Sequence, residues 1–165
     1  MNILVTGGTG YIGSHTCIEL IECGHNVVVI DNLCNSSIES IMRVKAITKS
    51  DIPFYKVDVR DKLKLTQVFE KHNIDAVIHF AGLKSVGDSV DNPLHYYDNN
   101  VSSVFVLIDV MQKFNCKTFI FSSSATVYGD SQIVPIKENF PLNGTNPYGR
   151  SKIVVENFFA RCICV

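Results

Sequence analysis

The sequence has no excess of either charge. Its 15 Lys and Arg face 16 Asp and Glu, for a formal net charge of −1. That balance excludes the dense basic surface that nucleic-acid binding needs and the polybasic patch that holds a protein to an anionic membrane. No uninterrupted apolar run approaches the roughly 18 residues of a transmembrane helix. The N-terminal stretch MNILVTG lacks the basic start and small-residue cleavage site of a signal peptide, so the chain is expected to be cytoplasmic. Six cysteines occur, at Cys17, Cys23, Cys34, Cys116, Cys162 and Cys164, but no pair has CxxC spacing and no His cluster accompanies them. They read as buried, reduced thiols that pack like small hydrophobes, with no metal site. Without secretion, the Asn-x-Ser/Thr triplets at Asn35, Asn100 and Asn143 carry no glycan. Repeats, low-complexity tracts and interdomain linkers are absent too, and the length fits one domain.

What is present is an alternation of two hydrophobic periods. Short apolar runs at Asn2–Thr6, Val27–Ile30, Phe54–Val57, Ala76–Phe80 and Thr118–Phe121 read as buried strands. Between them, helical spacing predicts helices over Tyr11–Cys23 (with Gly24 as a C-terminal cap), Ser37–Ile47, Leu63–His72, a long helix within Asp91–Phe114 and a last one over Pro147–Cys162. Pro93 and Pro147 stand near helix starts, where a missing N–H costs little. Strand–helix alternation implies βαβ units, hence an α/β fold of Rossmann type: a doubly wound parallel sheet with helices on both faces. Asp130–Asn146, rich in Pro, Asn and Gly, reads as a loop over the carboxyl edge of that sheet, where ligands bind in this architecture.

Gly7, Gly8, Gly10 and Gly13 sit between the first strand and the first helix, satisfying both GxxGxxG and GxGxxG. Glycines there let backbone approach a pyrophosphate, while the helix N-terminus offers N–H groups to the anion. A bare glycine motif is also a flexible turn; its place after a strand and before a helix favours a dinucleotide. Asp31 ends the second strand 21 residues after Gly10. A carboxylate there accepts from the adenosine ribose hydroxyls and repels a 2′-phosphate, favouring NAD over NADP. Asp58 ends the next strand, within reach of the adenine amino group.

The chemistry is expected from Ser124, Tyr148 and Lys152. Ser122, Ser123 and Ser124 follow the fifth strand, and Tyr148 and Lys152 share one helix face with Cβ atoms ~5–6 Å apart. A free phenol, with a pKa of about 10, is a poor base at neutral pH; a neighbouring ammonium favours its ionised form. Tyr148 then removes an alcohol proton, and Ser124 hydrogen-bonds the same oxygen. The YxxxK spacing alone is also that of an amphipathic surface pair.

These motifs resemble the extended short-chain dehydrogenase/reductase superfamily. Longer stretches, VTGGTGYIGSHT (5–16), DNLCNS (31–36), HFAGLK (79–84), YYDNN (96–100) and FSSSATVYG (121–129), are similar to its UDP-glucose 4-epimerase family. The resemblance implies NAD contacts at Tyr11, Ile12, Asp31, Asn32, Leu33, Cys34, Asn35, Ser36, Asp58, Val59, Phe80, Ala81, Gly82, Leu83, Lys84 and Asn99, beside Gly7, Gly10 and Gly13. It implies Ser124, Thr126 and Lys84 near the sugar, Tyr148 as base, and Lys152 on both the nicotinamide ribose and the tyrosine. The implied reaction interconverts UDP-glucose and UDP-galactose: Tyr148 takes the 4-hydroxyl proton, hydride leaves C4, the keto sugar turns, and hydride returns to the other face. Related sugar-nucleotide 4,6-dehydratases carry acids after the serine or threonine; Ser124-Ala125-Thr126 has none, which favours epimerisation.

The resemblance further implies a homodimer through the helices after Asp91 and Pro147. It places a smaller C-terminal substrate domain beyond residue 165, so residues 1–165 read as an incomplete NAD-binding Rossmann domain whose fifth strand has an apolar edge unpaired. The alternative readings are a truncated, non-catalytic NAD-binding fragment or a redox-sensing interaction module.

Overall fold

The structure, a computed structural model, describes residues 1–162; Cys164 and the side chain of Cys162 lie outside the described residues. The chain falls into two compact units, one of residues 1–81 and 105–122, the other of residues 82–104 and 123 onward.

In the first unit, β1 (Asn2–Thr6), β2 (Asn26–Asp31), β3 (Phe54–Lys56), β4 (Ala76–His79) and β5 (Thr118–Phe121) form one sheet in the order β3-β2-β1-β4-β5. All four pairings are parallel, with Leu4 between Val28 and Val77. Burial on both sides explains why the inner strands are apolar throughout, since successive side chains point to opposite faces. Leu4, Val28, Ile30 and Val77 face one core, completed by Leu65, Val68 and Phe69 of α3 (Lys62–Lys71) and Leu107, Val110 and Met111 of α6 (Ser103–Lys113). Ile3, Val5, Val27, Val29 and Ile78 face the other, covered by Cys17 of α1 (Tyr11–Glu22) and Ile41 and Val44 of α2 (Glu39–Thr48). This is the doubly wound, Rossmann-like architecture that the strand–helix alternation predicts. Winding reverses between β1 and β4, so the crevice at their carboxyl ends is the switch point where such sheets take ligands.

Cys17 and Cys116 are buried as expected, whereas Cys23 and Cys34 are exposed. Burial pushes the Cys17 thiol up to about 12, so it packs as an inert small hydrophobe. Gly24 has a positive φ of 81°, and its N–H bonds back to the Ile21 carbonyl, closing α1 in the manner expected of a C-terminal glycine.

The long helix expected within Asp91–Phe114, with Pro93 near its start, runs from Pro93 to Lys113 and is widened at its middle by a π turn. In the second unit α4 (Val86–Asp91) ends at Asn92, α5 (Pro93–Tyr97) starts at the proline, and a wide π turn covers Asp98–Ser102 before α6 begins. The short helix α4, which the sequence pattern does not mark, is separated from the long helix where Asn92 leaves helical geometry, at φ −128° and ψ 55°, ahead of a residue with no N–H. α7 (Pro147–Cys162) packs against α4, α5, the π turn and a 3-10 turn at Ala125–Tyr128. Residues 130–146 form no helix or strand, as the composition predicts.

Candidate active site

The glycine loop of the first unit is fitted to its neighbours from within and open on its outer side. Gly7 has φ +69°, and a Cβ there would stand 2.6 Å from the Ala81 nitrogen at the end of β4. A Cβ on Gly13 would stand 2.8 Å from Gly8 Cα, so the first turn of α1 lies directly on the loop. Gly10 differs: the one protein atom near its Cβ position is the Gly7 carbonyl oxygen, at 3.2 Å. Its lack of a side chain leaves the outer side of the loop open. Gly10 also starts α1 with neither a side-chain cap nor an acidic first turn, leaving the helix's N–H groups to an anion. Tyr11 and Ile12, at 79% and 58% exposure, are placed on the open side of this turn. The loop therefore fits the pyrophosphate of a dinucleotide.

Asp31 is buried at 7% exposure and organises this edge. Its carboxylate accepts from Thr9 N–H at 3.2 Å, Leu33 N–H at 2.9 Å and the Ser36 hydroxyl at 3.0 Å. Three of about four acceptor positions are thus used, which leaves about one for the ribose contact expected of Asp31. The turn after it is shaped by Leu33 at φ +60° and by Cys34 N–H donating to Asn32 Oδ1. Asn35 and Cys34 are exposed, whereas Asn32, Leu33 and Ser36 are half-buried.

Asp58 is more fully engaged than the sequence suggests. Arg60 reaches it through Nε and Nη2 at 2.9 and 2.8 Å and through its backbone N–H, and Asn32 Nδ2 donates at 2.9 Å. Four donors fill the carboxylate, so an adenine amino group has to displace one of them. The Arg60 side-chain hydrogen bonds hold the Asp58 carboxyl well below the usual carboxylate range, against the opposing effect of burial. A lowered native value means stability that is present above the unfolded value of about 4 and lost as pH falls through the native one. Asp58→Asn should therefore be less stable than wild type at pH 7 by about 1–2 kcal/mol. That gap should close progressively below about pH 4 in urea unfolding; a gap independent of pH would assign the loss to packing. Val59 lies in the core at 5% exposure, so its backbone is the part that can meet a ligand. Phe80 and Ala81 are tied to β1, their N–H groups donating to the Thr6 carbonyl at 3.0 Å and Thr6 Oγ1 at 3.3 Å.

The second unit gathers the proposed chemistry. Asn146, not singled out from the sequence, caps α7 by accepting from Gly149 N–H at 2.8 Å, with Pro147 at the first helical position. Tyr148 and Lys152 then follow one turn apart, with Lys152 Nζ 5.9 Å from the Tyr148 ring centroid. Ser124 caps the 3-10 turn, accepting from Thr126 N–H at 3.3 Å and the Thr126 hydroxyl at 2.9 Å. A Cβ on Gly149 would stand 2.7 Å from the Thr126 carbonyl oxygen, so the turn bearing Ser124 and Thr126 abuts α7 beside Tyr148. Lys152 is 6% exposed; burial pushes its ammonium down to about 8, opposed by Glu156.

Behind these residues stands Asn100, which pattern reading misses because its partners are far in sequence. It is 2% exposed. Its amide accepts from Leu83 N–H at 2.8 Å, donates to the Leu83 carbonyl at 2.9 Å and to Ser151 Oγ at 3.3 Å, and Ser151 in turn donates to the Tyr148 carbonyl at 2.7 Å. Asn100 thus joins the segment of Gly82 and Leu83 to the first turn of α7. Lys84 beside them is exposed and Asn99 half-buried. Among the described residues no helix is long and apolar enough to cross a membrane.

The curated relatives are consistent with this layout. The chain is 55% identical over 156 residues to the UDP-glucose 4-epimerase of Bacillus subtilis, covering 94% of this chain and 46% of that protein. It is 56% identical over 154 residues to that of Dictyostelium discoideum, covering 93% and 45%. The chain therefore spans about half the length of the curated relatives it matches. Among solved structures, the UDP-glucose 4-epimerase of Bifidobacterium longum in complex with NAD+ and UDP superposes with a TM-score of 0.95 at 51% identity, over 97% of this chain and 48% of that one. The profile described as GDP-mannose 4,6 dehydratase runs through residues 4–162, from β1 to the end of α7. Because that match takes in the glycine loop, the serine turn and the Tyr148–Lys152 helix alike, the chain belongs to the family so described.

Proposed function

We propose that this chain is the dinucleotide-binding and proton-transferring part of an NAD-dependent UDP-glucose 4-epimerase, which interconverts UDP-glucose and UDP-galactose at C4 of the sugar. The observation that carries the reading is the second unit's arrangement: Tyr148 and Lys152 one turn apart on α7, with the Ser124 turn held against Gly149. The open glycine loop and the buried Asp31 carboxylate support NAD as the cofactor and disfavour a 2′-phosphate. The names of the epimerase relatives support the sugar and the reaction. The family's dehydratase label does not displace that reading, since Ala125 and Thr126 offer no acid to eliminate water.

NAD, when bound, supplies the acceptor and later the donor of a hydride. The chain's own residues handle the proton and the oxygen. The Ser124 hydroxyl hydrogen-bonds the 4-oxygen and stays on it as the alcohol becomes a carbonyl. Tyr148 accepts the 4-hydroxyl proton at its phenolic oxygen and returns it in the reverse step. Lys152 supplies positive charge beside that phenol and would hold the nicotinamide ribose when NAD is bound. Purified chain supplied with NAD and UDP-galactose should form UDP-glucose. Retention of NAD without product would establish the binding-only alternative instead.

A further inference from the structure

We propose that Glu156 is a positioning residue of this same site: its carboxylate, bound by Ser123, ties the segment that leads into Ser124 to α7 and sets a negative charge one turn from the buried Lys152 ammonium. The proposal rests on the Tyr148–Lys152 reading above. Tyr148, Lys152 and Glu156 are spaced by four and lie along one face of α7. Lys152 stands between the other two, with its ammonium near the Tyr148 ring. The Ser123 hydroxyl donates to Glu156 Oε1, across a separation of 33 residues. Ser123 immediately precedes Ser124, so this bond fixes the chain from which Ser124 caps its turn.

The electrostatic need is specific. An ammonium at 6% exposure is driven toward the neutral amine by loss of water, and a neutral Lys152 gives the phenol no positive neighbour. Glu156, one turn along α7, is a charged group that opposes this loss at Lys152. Other ionisable groups on the elements packed against α7 are Asp88 and Asp91 of α4, His95, Tyr96 and Tyr97 of α5, Asp98 of the π turn and Tyr128 of the 3-10 turn. Asp88 accepts from Asn92 Nδ2, and Tyr128 donates to Glu138.

The test follows Lys152 itself, by 13Cε NMR of the full chain labelled with 13C-lysine, its signal assigned by its loss in Lys152→Arg. The wild-type signal should titrate near pH 8. In Glu156→Gln the midpoint should fall by about one pH unit, and Glu156→Asp should recover part of that shift. Glutamine can still accept from Ser123, so a merely structural role would leave the midpoint in place; an unmoved midpoint overturns the proposal. Should Glu156→Gln fail to fold, Ser123→Ala, which releases the carboxylate without removing it, carries the test: a lowered midpoint supports the proposal and an unchanged one overturns it. The titration uses neither NAD nor sugar. A chain that turns over UDP-galactose while its Lys152 midpoint ignores Glu156 loses only this proposal. A chain that fails to bind NAD while the midpoint shifts loses only the epimerase reading.

Discussion

Gly7→Ala will lower the stability of the chain by about 3 kcal/mol and abolish NAD binding. Two independent penalties meet at this residue. Its φ of +69° lies in the left-handed region, which costs an L-residue with a Cβ about 1–2 kcal/mol. The new methyl would also stand 2.6 Å from the Ala81 nitrogen and 2.8 Å from the Phe80 carbonyl carbon, both backbone atoms that cannot rotate aside. Forcing such an overlap adds about 1–3 kcal/mol and moves the exit of β4. That exit is one wall of the crevice at the switch point, so the loop and the strand end lose their fit to a dinucleotide together. Gly24→Ala separates the two effects. Gly24 has φ +81° but no atom within 4 Å of its Cβ position. It should lose only about 1–2 kcal/mol and keep its affinity for NAD. Urea unfolding followed by circular dichroism, with NAD affinity measured on the same samples, checks both. Equal losses at the two glycines would show that backbone conformation alone matters at Gly7.

The sheet and the glycine loop were legible because their signals are local. A β-branched run such as Val27–Ile30, alternating with helical segments, fits an inner parallel strand, and a glycine-rich turn placed between strand and helix favours a dinucleotide loop. The same holds for the Tyr148–Lys152 spacing, since four residues along a helix define one face whatever the surroundings. What the sequence concealed depends on contacts between distant residues. The π turn at Asp98–Ser102 widens a helix whose apolar spacing suits regular α geometry throughout, and the short helix Val86–Asp91 ahead of it carries no such spacing. In that turn Asn100 makes both hydrogen bonds to the Leu83 peptide, 17 residues away. Asp58 was legible as a strand-ending acid, but its saturation by Arg60 and Asn32 was not, because an aspartate two residues before an arginine is also an ordinary surface pair. Ser123 and Glu156 were concealed for the same reason: each alone is a common polar residue, and their meaning lies in meeting.

Tyr148→Phe should reduce epimerisation about a thousandfold while leaving NAD affinity unchanged. Positioned proton transfer contributes about 10²–10⁴ in rate, and the substitution deletes only the oxygen that performs it. The ring is kept, and with it the face over which Lys152 Nζ stands at 5.9 Å, so packing in the first turn of α7 is preserved. Ser124→Ala should cost about 10²-fold, the usual worth of one donor to a developing oxyanion. It should also loosen the 3-10 turn, since Ser124 Oγ accepts both Thr126 donors. The double variant makes the argument sharper. If the phenol and the hydroxyl act on the same 4-oxygen in one transition state, the second loss will be much smaller once the first has been made, because a unit already broken has little left to lose. Rates of UDP-glucose formation from UDP-galactose, measured for the four members of this cycle, decide it. Multiplicative losses would place the two groups in separate steps, and an unimpaired Tyr148→Phe would remove the phenol from the chemistry altogether.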